Sequence, residues 1–340
     1  MSIFVDRTTR VVVQGATGSE GSFWTRHMVE LGTKVVAGVT PGKEGTRVAV
    51  GTPGDAVPAT PPGGSPTGGQ GEAGIPIYHT VRRALAEHPA DAAMLFVPPR
   101  FTRDAVYEAL DAGIRKIVTV ADGIPLHEAL QIRAAARSCG ARVVGGNTSG
   151  VISPGLAMLG MFPYWISRVY RPGRIGVMTR SGSLTNEVTA MIVRGGFGVS
   201  TLVGVGGDPV PGTRFAEMLP DYQADTGTDA IVVIGEIGGS MEAEVADALA
   251  SGAFTKPVVA FVGGRHAPEG RRMGHAGAIV SGGRGSARDK MEALVAAGAL
   301  VAERPSLVGE CLRRALGIPP TDSAQAPADT TRRPSGKDPS

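Results

Sequence analysis

Short apolar runs recur along the chain, separated by stretches whose apolar residues fall three or four positions apart. Val11-Val12-Val13-Gln14, Lys34-Val35-Val36-Ala37-Gly38-Val39, Ala93-Met94-Leu95-Phe96-Val97, Ile117-Val118-Thr119-Val120 and Arg142-Val143-Val144 read as strands. The stretches between them, ending near Leu31 and then at 80–87, 103–112 and 126–138, read as helices. This alternation predicts a parallel sheet with helical crossovers. A second series begins at Arg174. Its strands are expected at 175–178, 199–205, 230–236, 257–262 and 300–302. Its helices are expected at 183–194, 213–224, 241–250, 287–297 and 306–316. Residues 51–74 and 321–340 carry no apolar period and are rich in Pro, Gly and polar residues, which predicts a disordered insertion and a disordered tail. The expected organisation is a first α/β domain over 1–150, a connector over 151–173, a second α/β domain over 174–320 and the tail. The connector's aromatics, Phe162, Tyr164 and Trp165, are expected to pack.

Composition narrows the class. The chain has 340 residues, 42% of them hydrophobic, enough for two ordinary domains with cores. It has no apolar run of membrane-spanning length, and Met1-Ser2-Ile3-Phe4-Val5-Asp6 lacks the basic and apolar regions of a signal peptide. A cytoplasmic protein is expected. Cys139 and Cys311 stand apart with no metal-ligand or redox spacing and read as structural thiols. The net charge is +3 and the basic residues are scattered, which suits a small anionic ligand and argues against nucleic acid.

Three stretches of the second series carry chemistry. Gly274-His275-Ala276-Gly277-Ala278 frames one histidine with glycines. Neutral imidazole is a competent nucleophile near neutrality, and flanking glycines admit a phosphate. Gly235-Glu236-Ile237-Gly238-Gly239 follows the apolar run Ala230–Ile234, so Glu236 is expected at the C-terminal end of a buried strand, where it could take the second N–H of His275. Arg180-Ser181-Gly182-Ser183-Leu184-Thr185 reads as a turn into a helix N-terminus, an anion site in which Ser181, Gly182 and Ser183 bind phosphate. Together these suggest a transiently phosphorylated histidine.

In the first series, Gly15-x-x-Gly18-x-x-Gly21 follows the first strand, but its spacing is not that of a dinucleotide fingerprint. The second strand runs into Thr40-Pro41-Gly42-Lys43 and not into an acid. Lys43 favours a phosphorylated adenosine such as coenzyme A over NAD. Other strand ends, Val97–Phe101, Ala121-Asp122-Gly123 and Gly146-Asn147-Thr148-Ser149-Gly150, are candidates to line a ligand crevice.

The motifs 13–21, 38–43, 180–185, 234–239 and 274–278, with Gly206-Gly207-Asp208-Pro209-Val210-Pro211-Gly212, occur in one order. In this the chain resembles the α subunit of succinyl-CoA synthetase, of the nucleoside-diphosphate-forming acid–CoA ligases. The resemblance implies an N-terminal Rossmann-like CoA-binding domain followed by a flavodoxin-like α/β ligase domain. It implies coenzyme A contacts from Thr17, Gly18, Ser19, Glu20, Lys43, Val120, Ala121, Asp122 and Asn147. It also implies catalysis by His275 with Glu236, a nucleoside triphosphate with Mg2+ on a partner β subunit in a heterodimer or heterotetramer, and a place in the tricarboxylic acid cycle. The expected chemistry is phosphorylation of His275, transfer to a small carboxylic acid, and attack of the coenzyme thiol on the acyl phosphate. Four positions depart from the family pattern. Gly146, Thr148 and Ser149 stand where it has Pro, Cys and Pro, and Asn186 stands where it has a tyrosine associated with the acid. Succinate is therefore less secure than the reaction class, with malate or citrate-like acids open. A non-catalytic CoA-binding regulator is the rival, disfavoured because a sensor needs none of His275, Glu236 and the Ser181–Ser183 turn. No Walker loop occurs; Gly282-Gly283-Arg284-Gly285 is a poor substitute.

Overall fold

The computed structural model describes residues 2–51, 74–268, 270, 273–280 and 285–319. Most of the insertion expected at 51–74, the tail at 321–340, and Gly282, Gly283 and Arg284 lie outside the described residues.

The first domain alternates as its pattern predicts, with two further strands: β1 (Arg10–Gln14), α1 (Ser19–Leu31), β2 (Lys34–Val39), β3 (Arg47–Val48), β4 (Ile75–Tyr78), α2 (Val81–Glu87), β5 (Ala92–Leu95), α3 (Pro99–Asp111), β6 (Lys116–Thr119), α4 (Leu126–Ser138) and β7 (Arg142–Val144). The pattern does not mark β3 and β4. The sheet order is β3-β4-β2-β1-β5-β6-β7, parallel except for the short edge strand β3. From β4 to β7 this is the Rossmann order, with its reversal between β1 and β5. The glycine loop sits at that reversal, and packing requires its glycines. Gly15 has φ +79°, and a methyl group there would lie 2.2 Å from the Phe96 carbonyl oxygen. One at Gly21 would lie 2.1 Å from the oxygen of Gly15, so α1 could not approach the strand.

The second domain comprises β8 (Gly150–Ser153), β9 (Ala157–Gly160), β10 (Pro172–Thr179), α5 (Gly182–Arg194), β11 (Val199–Gly204), α6 (Phe215–Ala224), β12 (Ala230–Glu236), α7 (Met241–Ala250), β13 (Val258–Gly263), α8 (Ala287–Ala296), β14 (Leu300–Val301), a short 3-10 turn (Pro305–Leu307) and α9 (Val308–Ala315). The order is β14-β13-β12-β10-β11-β8-β9. Its parallel part, β11-β10-β12-β13-β14, has the flavodoxin-like order, reversing between β10 and β12.

The stretch expected as a connector, 151–173, instead supplies strands to the second sheet. It carries most of the antiparallel hairpin β8–β9, which extends the second sheet beyond β11, and β10 already begins at Pro172. Both hairpin strands are fully buried. They sit between the two domains, with Thr33 after α1 donating to the Met158 carbonyl at 2.9 Å. One buried apolar cluster runs through both sheets, joining Val11 and Val13 to Val151, Met158, Val177 and Ile231. The N-terminal residues Ile3, Phe4 and Val5 are part of it. The aromatics after β9 do pack: Trp165 stacks on Trp24 and His27 of α1, with ring centroids 6.3 and 4.6 Å apart. No described helix is long and apolar enough to cross a membrane.

Candidate active site

The strand reversal between β10 and β12 brings two loops together at the C-terminal edge of the second sheet. Beyond β10, Arg180 and Ser181 lead into α5. Ser181 caps that helix, its hydroxyl accepting the Leu184 N–H at 3.4 Å, and the Ser183 hydroxyl lies 3.4 Å from it. Thr179 fixes the turn by accepting the Ser181 N–H at 3.2 Å and the Thr185 hydroxyl at 2.8 Å. Gly182 and Ser183 are exposed at the first turn, where helical N–H groups have no partner within the helix.

β12 ends on Glu236, whose carboxylate is about nine-tenths buried. Its Oε2 lies 2.7 Å from Nδ1 of His275. A carboxylate only accepts, so in the neutral imidazole Nδ1 carries the proton and Nε2 keeps its lone pair. The hydrogen bond that His275 donates to Glu236 raises the His275 pKa, against the opposing effect of burial. Arg180, itself buried, places Nε 3.3 Å from Glu236 Oε1 and donates through Nη1 to the Gly238 carbonyl at 3.0 Å. Neither Arg180 Nε nor Glu236 Oε1 has an aligned hydrogen-bond partner among the described residues. The contact is one of charge.

A second buried ion pair holds Glu236 by its backbone. Glu242 accepts the Glu236 N–H through Oε1 at 3.1 Å. Lys290 donates to Glu242 Oε2 at 2.5 Å, to the Glu236 carbonyl at 2.7 Å and to the Gly238 carbonyl at 2.5 Å. Glu242 is 0% exposed and Lys290 3%. Burial lowers the Lys290 pKa, and Glu242 opposes that shift.

The imidazole lies on Gly207. A methyl group at Gly207 would come within 2.4 Å of Cγ and 2.6 Å of Nδ1 of His275. The peptide groups of Gly207 join the two domains: its N–H donates to Asn147 at 3.1 Å and its carbonyl accepts from Gly277 at 3.3 Å. Asn147, at φ +52°, donates its own N–H to Ala121 at 2.7 Å. A cavity of about 390 Å³ opens here, lined from the first domain by Asp122, Ile124 and Asn147 and from the second by Asp208, Pro209 and His275. Asp208 is 5% exposed, and its Oδ2 has no hydrogen-bond partner among the described residues. Burial raises its pKa first, the neighbouring Asp122 charge adds to this, and Asn147 and His275 oppose it.

The residues singled out in the sequence thus fall into groups. His275 and Glu236 touch. Asp122 and Asn147 share the cavity with His275, and Ala121 is hydrogen-bonded to Asn147, with Val120 between it and β6. Thr17, Gly18, Ser19, Glu20 and Lys43 line the ends of β1 and β2 and are not on that cavity. There Gly18 caps α1, the Thr17 hydroxyl lies 3.2 Å from that of Thr40, and Glu20 accepts from the Trp24 indole at 3.1 Å. Lys43 is exposed in the turn after β2, beside Gly42, whose N–H donates to His79 Nδ1 at 3.0 Å. Ser181, Gly182 and Ser183 cap α5 and do not line the cavity either. Asn186 is exposed on α5 and does not line the cavity, and its Oδ1 accepts the hydroxyl of buried Tyr170.

Sequence reasoning singled out neither Lys290, Glu242 nor Asp208 for a role. A signal for the first two existed. Lys290 stands at helical spacing with the buried Ala287 and Leu294, and Glu242 with the buried Val245 and Ala246, so each is a charge on an apolar face. Among the described residues, no group of three or more His, Cys, Asp or Glu could hold a metal ion.

The two folds and their order define a CoA-ligase architecture, and comparison with known proteins agrees. Residues 6–123 match the CoA binding domain family model and residues 178–300 the CoA-ligase model. A subunit of an ADP-forming sulfoacetate-CoA ligase from Bilophila wadsworthia is 65% identical, over 93% of this chain and 100% of that protein. The α subunit 1 of the ADP-forming succinate–CoA ligase of Archaeoglobus fulgidus is 44% identical, over 93% of this chain and 99% of its own length. Among solved structures, ATP citrate lyase of Methanosaeta concilii superposes with a TM-score of 0.80 at 25% identity, covering 98% of this chain. This chain spans 56% of that longer one. The protein belongs to the succinate–CoA ligase α-subunit family.

Proposed function

We propose that the chain is the α-type subunit of an ADP-forming acid–CoA ligase, that it works through a phosphohistidine at His275, and that its acid is sulfoacetate. The observation that carries the chemistry is the 2.7 Å contact of Glu236 with His275 Nδ1. It directs the proton to Nδ1, so that Nε2 can attack the terminal phosphorus of a nucleoside triphosphate. Glu236 then balances the positive charge that develops on the ring. The triphosphate and its Mg2+ belong to a separate β subunit. The α5 N-terminus, with the Ser181 and Ser183 hydroxyls and the free N–H groups of Gly182 and Ser183, receives the phosphate. Positioning and charge neutralisation are most of what phosphoryl transfer requires. The substrate carboxylate next takes the phosphoryl group from His275, and the coenzyme A thiol displaces it as inorganic phosphate. Coenzyme A lies along the edge formed by Thr17, Gly18, Ser19, Glu20 and Lys43, reaching the cavity past Val120, Ala121, Asp122 and Asn147.

Sulfoacetate is favoured over succinate by similarity across the whole chain. Sulfoacetate–CoA ligase subunits are 65% and 62% identical, and α subunits of succinate–CoA ligases 40–44%. Asn186 in place of the family's tyrosine is in keeping with a changed acid.

The test is co-expression with the β subunit, incubation with ATP labelled in its terminal phosphate, and assay of thioester formation with sulfoacetate, succinate, malate and citrate. The expected result is an acid-labile phosphate that is lost in His275→Asn, with sulfoacetate the best acid. A wild-type complex with no labelled protein would refute the mechanism, and a preference for succinate would refute the choice of acid.

A further inference from the structure

We propose that Asp208 is the general base that takes the proton from the coenzyme A thiol. The inference rests on the ligase reading above and assigns a step that His275 and Glu236 leave open.

In the last step the thiol sulfur bonds to the acyl carbon and the carbon–oxygen bond to phosphate breaks. The products are the thioester and hydrogen phosphate, so the thiol proton must travel from sulfur to a phosphate oxygen. An ordinary thiol, with a pKa of about 8.5, is mostly protonated at neutrality, and the thiolate is the nucleophile. A base beside the sulfur is therefore needed. Glu236 is committed to the hydrogen bond from His275 Nδ1, and the buried Arg180 charge 3.3 Å from its other oxygen opposes proton uptake there.

Asp208 has the position and the open valence. It shares one cavity with His275, where the acyl phosphate forms, and with Asp122 and Asn147 at the strand ends of the coenzyme domain. It is buried, only 5% exposed, and its Oδ2 is without a hydrogen-bond partner among the described residues. Buried carboxylate oxygens are ordinarily partnered. Gly146 makes the space, because a methyl group there would lie 3.1 Å from that oxygen. The charged or titratable described groups acting on Asp208 are Asp122, from the loop after β6, and His275, from its own loop. Burial first and Asp122 next make the carboxylate more basic than usual, against the opposing effects of the Asn147 side chain and the His275 charge, as accepting a thiol proton requires. The proton held on Asp208 then passes to the departing phosphate, which restores the carboxylate.

The experiment uses the complex with the β subunit, Asp208→Asn, and two acceptors: coenzyme A and its selenol analogue, which is ionised at neutral pH and needs no base. The variant should form phosphohistidine and, with sulfoacetate and hydroxylamine, trap acyl hydroxamate at rates close to wild type. Thioester formation should fall by about 10²–10⁴-fold, the usual worth of a positioned base. With the selenol analogue most of the rate should return. A deficit of equal size with both acceptors, or no deficit, overturns the assignment. A wild-type measurement covers the case of a variant that does not fold: starting from phosphoenzyme, the coenzyme-dependent step should lose rate in acid with the thiol and not with the selenol. An acid limb of the same height with both overturns the proposal as well. A wild type with no phosphohistidine would instead remove the ligase reading, and this assignment with it.

Discussion

Replacing Lys290 with methionine isolates what the buried pair beneath the site contributes. Lys290 Nζ makes three contacts, to Glu242 Oε2 and to the carbonyls of Glu236 and Gly238, and all lie below solvent reach. Methionine fills the volume of the lysine stem but removes every donor. Glu242, 0% exposed, would then hold an uncompensated charge. Breaking one side of a buried ion pair costs about 3–5 kcal/mol. The Gly238 carbonyl keeps its bond from Arg180, but the Glu236 carbonyl loses the Lys290 donor, a further cost of about 1–3 kcal/mol if nothing replaces it. The two costs overlap, so a loss of at least ~3 kcal/mol is expected. Urea denaturation followed by circular dichroism gives the number. Adding Glu242→Gln removes the stranded charge while its amide oxygen can still accept the Glu236 N–H, so Lys290→Met/Glu242→Gln should recover more than half of the loss. A single variant within about 1 kcal/mol of wild type, or a double variant no better than the single, would refute the reasoning.

Glu236→Gln removes the main cause of the raised His275 pKa, so the acid limb of phosphohistidine formation should move to lower pH, with a slower plateau because the carboxylate no longer balances the ring charge. A rate–pH profile from rapid quench tests both, and an unmoved limb counts against the pairing. Gly207→Ala would put a methyl group 2.4 Å from the His275 ring, so the ring must shift; misplacement of about 1 Å costs up to ~100-fold, read as the phosphorylation rate. Unchanged phosphorylation would mean that the ring position is not set by Gly207. Asn186→Tyr removes the acceptor of the Tyr170 hydroxyl and restores the family's residue, so relative activity should move from sulfoacetate toward succinate, with phosphorylation by ATP little changed. An acid panel with the same ranking for both proteins would make Asn186 a bystander.

Much of this site could be read from the chain because it sits on strand ends. The run Ala230–Ile234 can only be a buried strand, and a glutamate two residues on must emerge at its C-terminal edge. Ser181 was legible for a similar reason, as a hydroxyl before a helical period. The hairpin β8–β9 was not. Its two strands are four residues each, without alternation and set among glycines, and only docking against β11 makes them strands. Asp208 was visible as part of a motif, but its open oxygen depends on Gly146 and Asp122, more than sixty positions earlier by the numbering, and no local pattern encodes that meeting. Asn186 illustrates the opposite case. The family pattern marked its position, whereas the identity of its partner, Tyr170, came only from packing of the segment after β9.

The alignment of the two domains at His275 passes through main-chain groups, from Ala121 to Asn147, to Gly207 and on to Gly277. Side-chain exchange elsewhere in the cavity does not remove a peptide N–H or carbonyl. The side chains lining the cavity can therefore be exchanged while the main-chain bonds between the coenzyme domain and the histidine loop stay in place. The vulnerable points of such a relay are its glycines, where any side chain would intrude. A laboratory search for new acid specificity in this scaffold should accordingly leave Gly207 and Gly277 fixed and randomise the positions around them.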